Sequence, residues 1–242
     1  PASIDTVLLT HAHLDHAGYL PALVKQGFTG KILCTEATRD LSQLLLPDSG
    51  HLQEEEARYA AKHGFSKHRA PMPLFTYTDA LKTLDQLQPI SDREWFSLSD
   101  NVRIMTRPSG HILGSRFINM SVDEKHRHFN IMFCGDIGRY DALISQDPGR
   151  VKSVNYLVLE STYGDRLHSG SDVFAQFEEI ITRTIERSGK VIIPAFAVNR
   201  TQEVLYVLRK LEDEGRLPNV PIYLNSPLAI DATQIYIRYM KE

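Results

Sequence analysis

The residues best suited to chemistry sit near the start of the chain. Residues 11 to 16 read His11-Ala12-His13-Leu14-Asp15-His16, with four metal-ligating side chains inside six positions. Imidazole nitrogen and carboxylate oxygen suit Zn²⁺, and also Fe or Mn. In an extended segment, residues at i, i+2 and i+4 point the same way. His11, His13 and Asp15 are therefore expected to converge, with His16 turned to the other side where a helix begins. Four ligands this close cannot all serve one ion with good geometry, so the run predicts two neighbouring ions with two of these ligands each. A chance run of polar surface residues is the bland alternative. The apolar strand Thr6–Thr10 directly before the cluster argues against it, because ligands in α/β proteins gather beyond the carboxyl ends of strands.

Two ligand pairs are not enough, since a catalytic zinc wants about three protein ligands and an open position. His111 lies in the glycine-flanked run Ser109-Gly110-His111-Ile112-Leu113-Gly114-Ser115, and Asp136 ends the apolar strand before Gly135-Asp136-Ile137-Gly138. Alone, they would read as a loop histidine and a turn or cap aspartate. Beside the first cluster, both become candidate ligands. Glu160 ends the strand Tyr156–Glu160, where a carboxylate can orient a catalytic histidine from behind; pairing with a local arginine is the alternative.

The elements that must position these residues alternate in character. A helix is expected near Tyr19–Lys25 and a short strand at Lys31–Cys34. From Glu36 to Gln88 the pattern is mostly helical, with Pro47 and Gly50 breaking the run and a loop at Ser66–Pro73 before a helix over 78–87. Trp95–Leu98, Val102–Thr106, Arg116–Val122 and His128–Phe133 read as strands. Beyond residue 172 the spacing predicts helix 173–187, strand 191–194, helix 201–213, strand 222–224 and helix 227–240. Strand, helix, strand at that spacing is a βαβ unit on a parallel sheet.

Composition sets outer bounds. The chain has 242 residues, 42% apolar and 24% charged, with ten histidines. That is a globular composition able to bury a core, and it excludes collagen-like, disordered and membrane classes. No apolar run is long enough to span a bilayer. Two cysteines make no disulfide framework, which points to a reducing, cytoplasmic setting. A net charge of −3 gives no global basic surface. Lys62, Lys67 and Arg69, with His63 and His68, form the densest basic stretch. They read as a solvated loop rather than a phosphate path. His126 and His128 read as hairpin-turn residues, and His51 as a surface residue.

H-x-H-x-D-H, then a lone histidine, then a strand-end aspartate, resembles the order of metal motifs in the metallo-β-lactamase superfamily. Leu159-Glu160-Ser161-Thr162-Tyr163-Gly164, Ile193-Pro194-Ala195-Phe196-Ala197-Val198-Asn199-Arg200-Thr201-Gln202-Glu203 and Tyr223-Leu224-Asn225-Ser226-Pro227-Leu228-Ala229 resemble its β-CASP branch of RNA-processing nucleases. The resemblance implies an α/β fold: a metallo-β-lactamase αββα sandwich lacking its first strands over residues 1–164, then the beginning of a Rossmann-like β-CASP domain over 165–242. It implies that His11, His13 and His111 hold one Zn²⁺, that Asp15 and His16 hold a second, and that Asp136 bridges both. Asp15 and Glu160 are the implied catalytic residues, Glu160 through a histidine acid from a later motif. Ser115, His168 and Arg200 are candidate substrate contacts. Asn199 departs from the branch, where glycine is commoner. The chain is expected to be an internal stretch of a longer protein, and alone to hold the second metal weakly and cleave RNA poorly.

The implied reaction is phosphodiester hydrolysis in RNA, single-stranded rather than duplex, by a hydroxide activated between two metals. No membrane partner is implied, and a homodimer is left open. Two other classes compete. A small-molecule hydrolase of the same fold would act on thioesters or lactams, but the β-CASP-like stretch after residue 190 argues against it. A non-catalytic scaffold partner would be expected to have lost ligands, and here each one in the covered motifs is present.

Overall fold

Apolar alternation decides how the first 160 residues layer. In β1 (Thr6–Leu8) and β2 (Lys31–Cys34), Val7, Ile32 and Cys34 face one side while Leu8 and Leu33 face the other. With β3 (Leu87–Pro89) these strands make a parallel sheet in the order β1-β2-β3. Parallel neighbours need crossovers. Here they are α1 (Leu14–Ala17) and α2 (Leu20–Lys25), then α3 (Glu36–His63) and α4 (Tyr77–Leu84). These helices cover one face of the sheet, where Leu20, Phe28, Ile32, Leu46, Phe75 and Ala80 form a buried cluster.

The other face meets a second sheet. Its strands are β4 (Phe96–Ser99), β5 (Val102–Pro108), β6 (Arg116–Glu124), β7 (Arg127–Phe133) and β8 (Tyr156–Val158), paired in that order. The first four are antiparallel, and β8 joins β7 in parallel. Leu33, Ile104 and Ile118 pack between the two sheets, while Phe117, Met132 and Cys134 cluster on the far face of the second. Helix, sheet and sheet are thus layered in the mixed α/β manner expected. Both cysteines are free and buried, and burial pushes the Cys34 thiol up to about 12.

The computed structural model describes residues 1–151, 154–167, 170 and 172–240. The chain divides into two units, Pro1–Tyr140 with Gln146–Glu160, and Asp141–Ser145 with Ser161–Glu242. The second contains α5 (Val173–Glu186), α6 (Arg200–Asp213) and α7 (Pro227–Tyr239). Among the described residues, no helix is long and apolar enough to cross a membrane.

Several elements differ from expectation. Pro47 and Gly50 do not end a helix: α3 runs through both for 28 residues. Leu41, Leu45 and Leu46 are buried along this stretch, and that packing outweighs the ladder bond lost at the proline. The stretch 78–87 splits into α4 and β3, because Leu87 pairs with Ile32. Strand β8 is exposed rather than buried, an edge strand held among the described residues by β7 alone. Residues 191–194 and 222–224 join no ladder among the described residues, so the expected βαβ sheet is not formed there. Val191, Ile193, Ile222 and Leu224 instead border an apolar cavity of about 500 Å³ over α5 and α6. Ile192 and Tyr223 are left 89% and 84% exposed.

Candidate metal centre

The histidine cluster begins where β1 gives way to a segment pinned on both sides. Leu9 N–H donates to Leu33 O, and Arg116 N–H donates to Thr10 O, both at 2.9 Å. His11 is fully buried. His13 caps α1, whose single turn carries Asp15 and His16. Asp15 therefore leaves the extended alternation and joins His16, rather than following His11 and His13 as expected. Two ligand groups result: His11, His13, His111 and Asp136, and Asp15, His16 and Asp136. Within each, the ligand atoms lie within 4.8 Å of one another.

Asp136 belongs to both groups. Its Oδ2 lies 3.2 Å from His111 Nε2 and 3.7 Å from His11 Nε2, and its Oδ1 lies 3.0 Å from His16 Nε2. His111 Nε2 is 3.1 Å from His13 Nδ1. Asp15 Oδ2 is 3.5 Å from His16 Nε2 and its side chain is 75% exposed.

The loops bearing His111 and Asp136 are sewn together. Gly138 N–H donates to Ser109 O at 2.8 Å. A Cβ on Gly138 would overlap the Gly110 carbonyl, so only glycine permits this approach. The His111 loop is also tied to the start of α3. The hydroxyls of Thr35 and Thr38 both donate to Gly114 O, at 2.8 and 3.0 Å. Gly114 has φ +80°, and a Cβ there would sit 2.7 Å from Thr38 N. None of these threonines stood out in the sequence. The one available signal was a threonine at the end of β2, in helix N-cap position.

Electrostatics favour metal over protons. Burial, with His16, His13 and His111 nearby, pushes the His11 imidazole down to about 2. Burial also pulls His13 and His111 below the ordinary histidine range. Neutral imidazoles keep their lone pairs, as metal ligands must. His11 Nδ1 lies 3.2 Å from Thr10 Oγ1. Among the described residues, His11 Nε2 is buried with no hydrogen-bond partner, a costly state for a polar atom unless something binds there. The donor set and this orphaned nitrogen fit a divalent cation.

Glu160 does lie behind the site. Its Oε1 accepts Ile137 N–H at 2.8 Å, next to Asp136. Ser115 is buried, and its hydroxyl is used inside its own loop: it accepts from His111 N–H and Ile112 N–H and donates to Ile112 O. Arg200 opens α6 in the second unit, exposed and paired with Glu203 at 2.9 Å. His168 lies outside the described residues.

Two family models match parts of the chain. The family model described as the metallo-beta-lactamase superfamily matches residues 1–90, and that of the Beta-Casp domain matches residues 201–242. The start of the chain is thus similar to proteins of the metallo-β-lactamase superfamily, and its end to Beta-Casp domains. It is 34% identical, over its whole length, to a ribonuclease of Thermus thermophilus, of which it spans 52%. It is 32% identical to a transcription termination factor of Methanococcus maripaludis, over 98% of this chain and 35% of that one. An RNase J-like protein of Methanocaldococcus jannaschii is 32% identical over 98% of this chain and 51% of its own. The chain thus spans about half, or less, of these relatives. The superfamily implies a divalent metal, and the His/Asp cluster is a potential site for it.

Proposed function

We propose that the full-length protein is a metal-dependent ribonuclease that hydrolyses phosphodiester bonds, with single-stranded RNA as substrate and a pair of Zn²⁺ ions as cofactor. The observation that carries this reading is the convergence of five side chains from two separated segments on the shared carboxylate of Asp136, around a buried His11 Nε2 that lacks a hydrogen bond. His11, His13 and His111 would hold one ion, Asp15 and His16 the other, and Asp136 both. Bound divalent ions supply Lewis-acid charge and lower the pKa of water toward about 7.

The chain's own residues do the rest. Asp136 presents one oxygen to each ligand group. The buried histidines stay neutral, so they do not repel the cations. The exposure of Asp15 at the rim supports a role in steering an incoming water. Glu160 holds the Asp136 loop by its backbone. The ribonuclease among the relatives supports RNA as substrate. Two free, buried cysteines support a cytoplasmic setting.

The test is metal analysis of the full-length protein together with product mapping on a labelled RNA. His13→Ala and Asp136→Ala should each abolish cleavage while circular dichroism stays unchanged. Turnover of a lactam or thioester with RNA left intact would overturn the reading in favour of a small-molecule hydrolase.

A further inference from the structure

The far end of α3 carries a surface that the metal centre does not use. Gly64, at φ +68°, caps the helix in the left-handed conformation, and Phe65 N–H returns to Ala60 O at 3.2 Å. That reversal, which glycine permits at little cost, lays Phe65 back beside the last turns of the helix. The Tyr59 and His63 rings are 4.3 Å apart, His63 and Phe65 stack at 5.9 Å with planes 19° apart, and Tyr59 lies 5.9 Å from Phe65. Large rings normally cluster to escape water, yet Tyr59 is 58% exposed and Phe65 73%.

Along the chain past Glu56, the charge has one sign. Between Glu56 and Asp79 there is no carboxylate, while Arg58, Lys62, Lys67 and Arg69 all fall in that interval of a chain whose net charge is −3. Arg58 is paired with Glu55, but among the described residues Lys62, Lys67 and Arg69 enter no ion pair. Of the acids one turn back, Glu54 accepts Tyr77 N–H at 3.2 Å. Exposed rings in a row with unpaired cations are the makings of a single-strand platform. Bases stack on the rings, phosphates meet the cations, and no particular sequence is required. A solvated loop, the expectation from sequence, accounts for the cations but not for the ring stack.

We infer that Tyr59, His63 and Phe65, with Lys62, Lys67 and Arg69, form a secondary docking surface for single-stranded RNA. This rests on the ribonuclease reading only for the identity of the strand. The Thr35 end of α3 touches the His111 loop, and the 28-residue helix spans about 40 Å at 1.5 Å per residue. A strand that engages both ends while keeping base-stacked spacing, at about 3.4 Å of rise each, spans on the order of ten nucleotides. The surface would hold long RNAs and be invisible to short ones.

The experiment uses the full-length protein with labelled oligo(U) of about 30 and about 5 nucleotides, either side of that length. Binding is followed by anisotropy, and cleavage in parallel. Tyr59→Ala with Phe65→Ala should weaken binding of the long RNA roughly tenfold. Lys62→Ala with Lys67→Ala and Arg69→Ala should lower the slope of log affinity against log salt by about 2, at 0.7 per phosphate released. Both variants should bind and cleave the short RNA like the parent. Unchanged affinity of the ring variant for the long RNA would overturn the platform, even if the charge variant binds less. Equal losses on long and short RNA would also overturn it. Surface-dependent binding without metal-dependent cleavage would remove the ribonuclease reading and leave this surface standing; cleavage with binding indifferent to both variants would do the reverse.

Discussion

The carboxylate of Glu160 accepts the backbone N–H of Ile137 at 2.8 Å, one residue past Asp136. The acid past the end of one strand therefore sets the loop that carries the shared candidate ligand past the end of another. Groups that orient ligands from behind typically contribute tenfold to a hundredfold in metal affinity. Glu160→Ala should weaken metal binding by about that factor, measured by competition with a chromophoric chelator. Glu160→Gln keeps an oxygen acceptor and should restore most of the loss. Parental affinity in the alanine variant would show that the Asp136 loop holds itself.

The hydroxyl of Thr38 does for His111 what Glu160 does for Asp136. It donates to Gly114 O, beside the Thr35 hydroxyl that donates to the same oxygen. Thr38→Val keeps the shape and removes the donor. Loss of a buried hydrogen bond costs about 0.5–1.5 kcal/mol, which a urea midpoint would register. Metal affinity should fall as well, and Thr38→Ser should recover it. A stability loss with metal affinity untouched would confine Thr38 to a structural role.

These two positions mark where the sequence stopped being legible. The candidate ligands His11, His13, Asp15, His16, His111 and Asp136 stood out because their types are scarce and lie near strand ends, and the structure does bring them together. Thr35 and Thr38 carry no such mark. Their importance comes from a contact across 76 or more residues, which local pattern cannot encode. Most strands in the first unit were readable because their alternation matches burial on two faces; β3, at three residues, was too short to show one and read as the end of a helix. Residues 191–194 and 222–224 have the composition of buried strands, but a strand is completed by a neighbour's ladder, and none is formed there among the described residues. Gly50 misled for the opposite reason, since a helix breaker in isolation became a point of contact in the fold.

Gly50 lies where α3 crosses the chain entering α4. A Cβ built on it would sit 2.8 Å from Thr76 O and 2.8 Å from Tyr77 N. Those are backbone atoms and cannot swing aside. Alanine is the better helix former by about 1 kcal/mol, but overpacking typically costs about 1–3 kcal/mol. The contact should win, so Gly50→Ala should destabilise the protein in urea despite its higher helix propensity. A raised midpoint would mean that the crossing yields more easily than its geometry implies.

Asp79 gives a stability term that depends on pH. Its Oδ2 accepts Thr76 N–H at 3.0 Å, while Thr76 Oγ1 accepts Asp79 N–H at 3.1 Å, closing a capping box at the start of α4; Lys25 Nζ lies 3.3 Å away. The Thr76 backbone bond above all holds the carboxyl below its ordinary 3.8; burial pushes upward next in size, and the Thr76 hydroxyl and Lys25 add smaller downward pulls. A depressed carboxyl stabilises the fold fully above its unfolded value, and that contribution is lost as pH falls through the folded one. Asp79→Ala should therefore cost about 1 kcal/mol near neutral pH. The gap to the parent should stay level down to about pH 5 and then narrow toward about pH 3. Paired urea titrations at those values decide the matter. A gap of constant size across the whole range would assign the effect to side-chain packing, because only an ionised carboxylate loses its advantage on protonation.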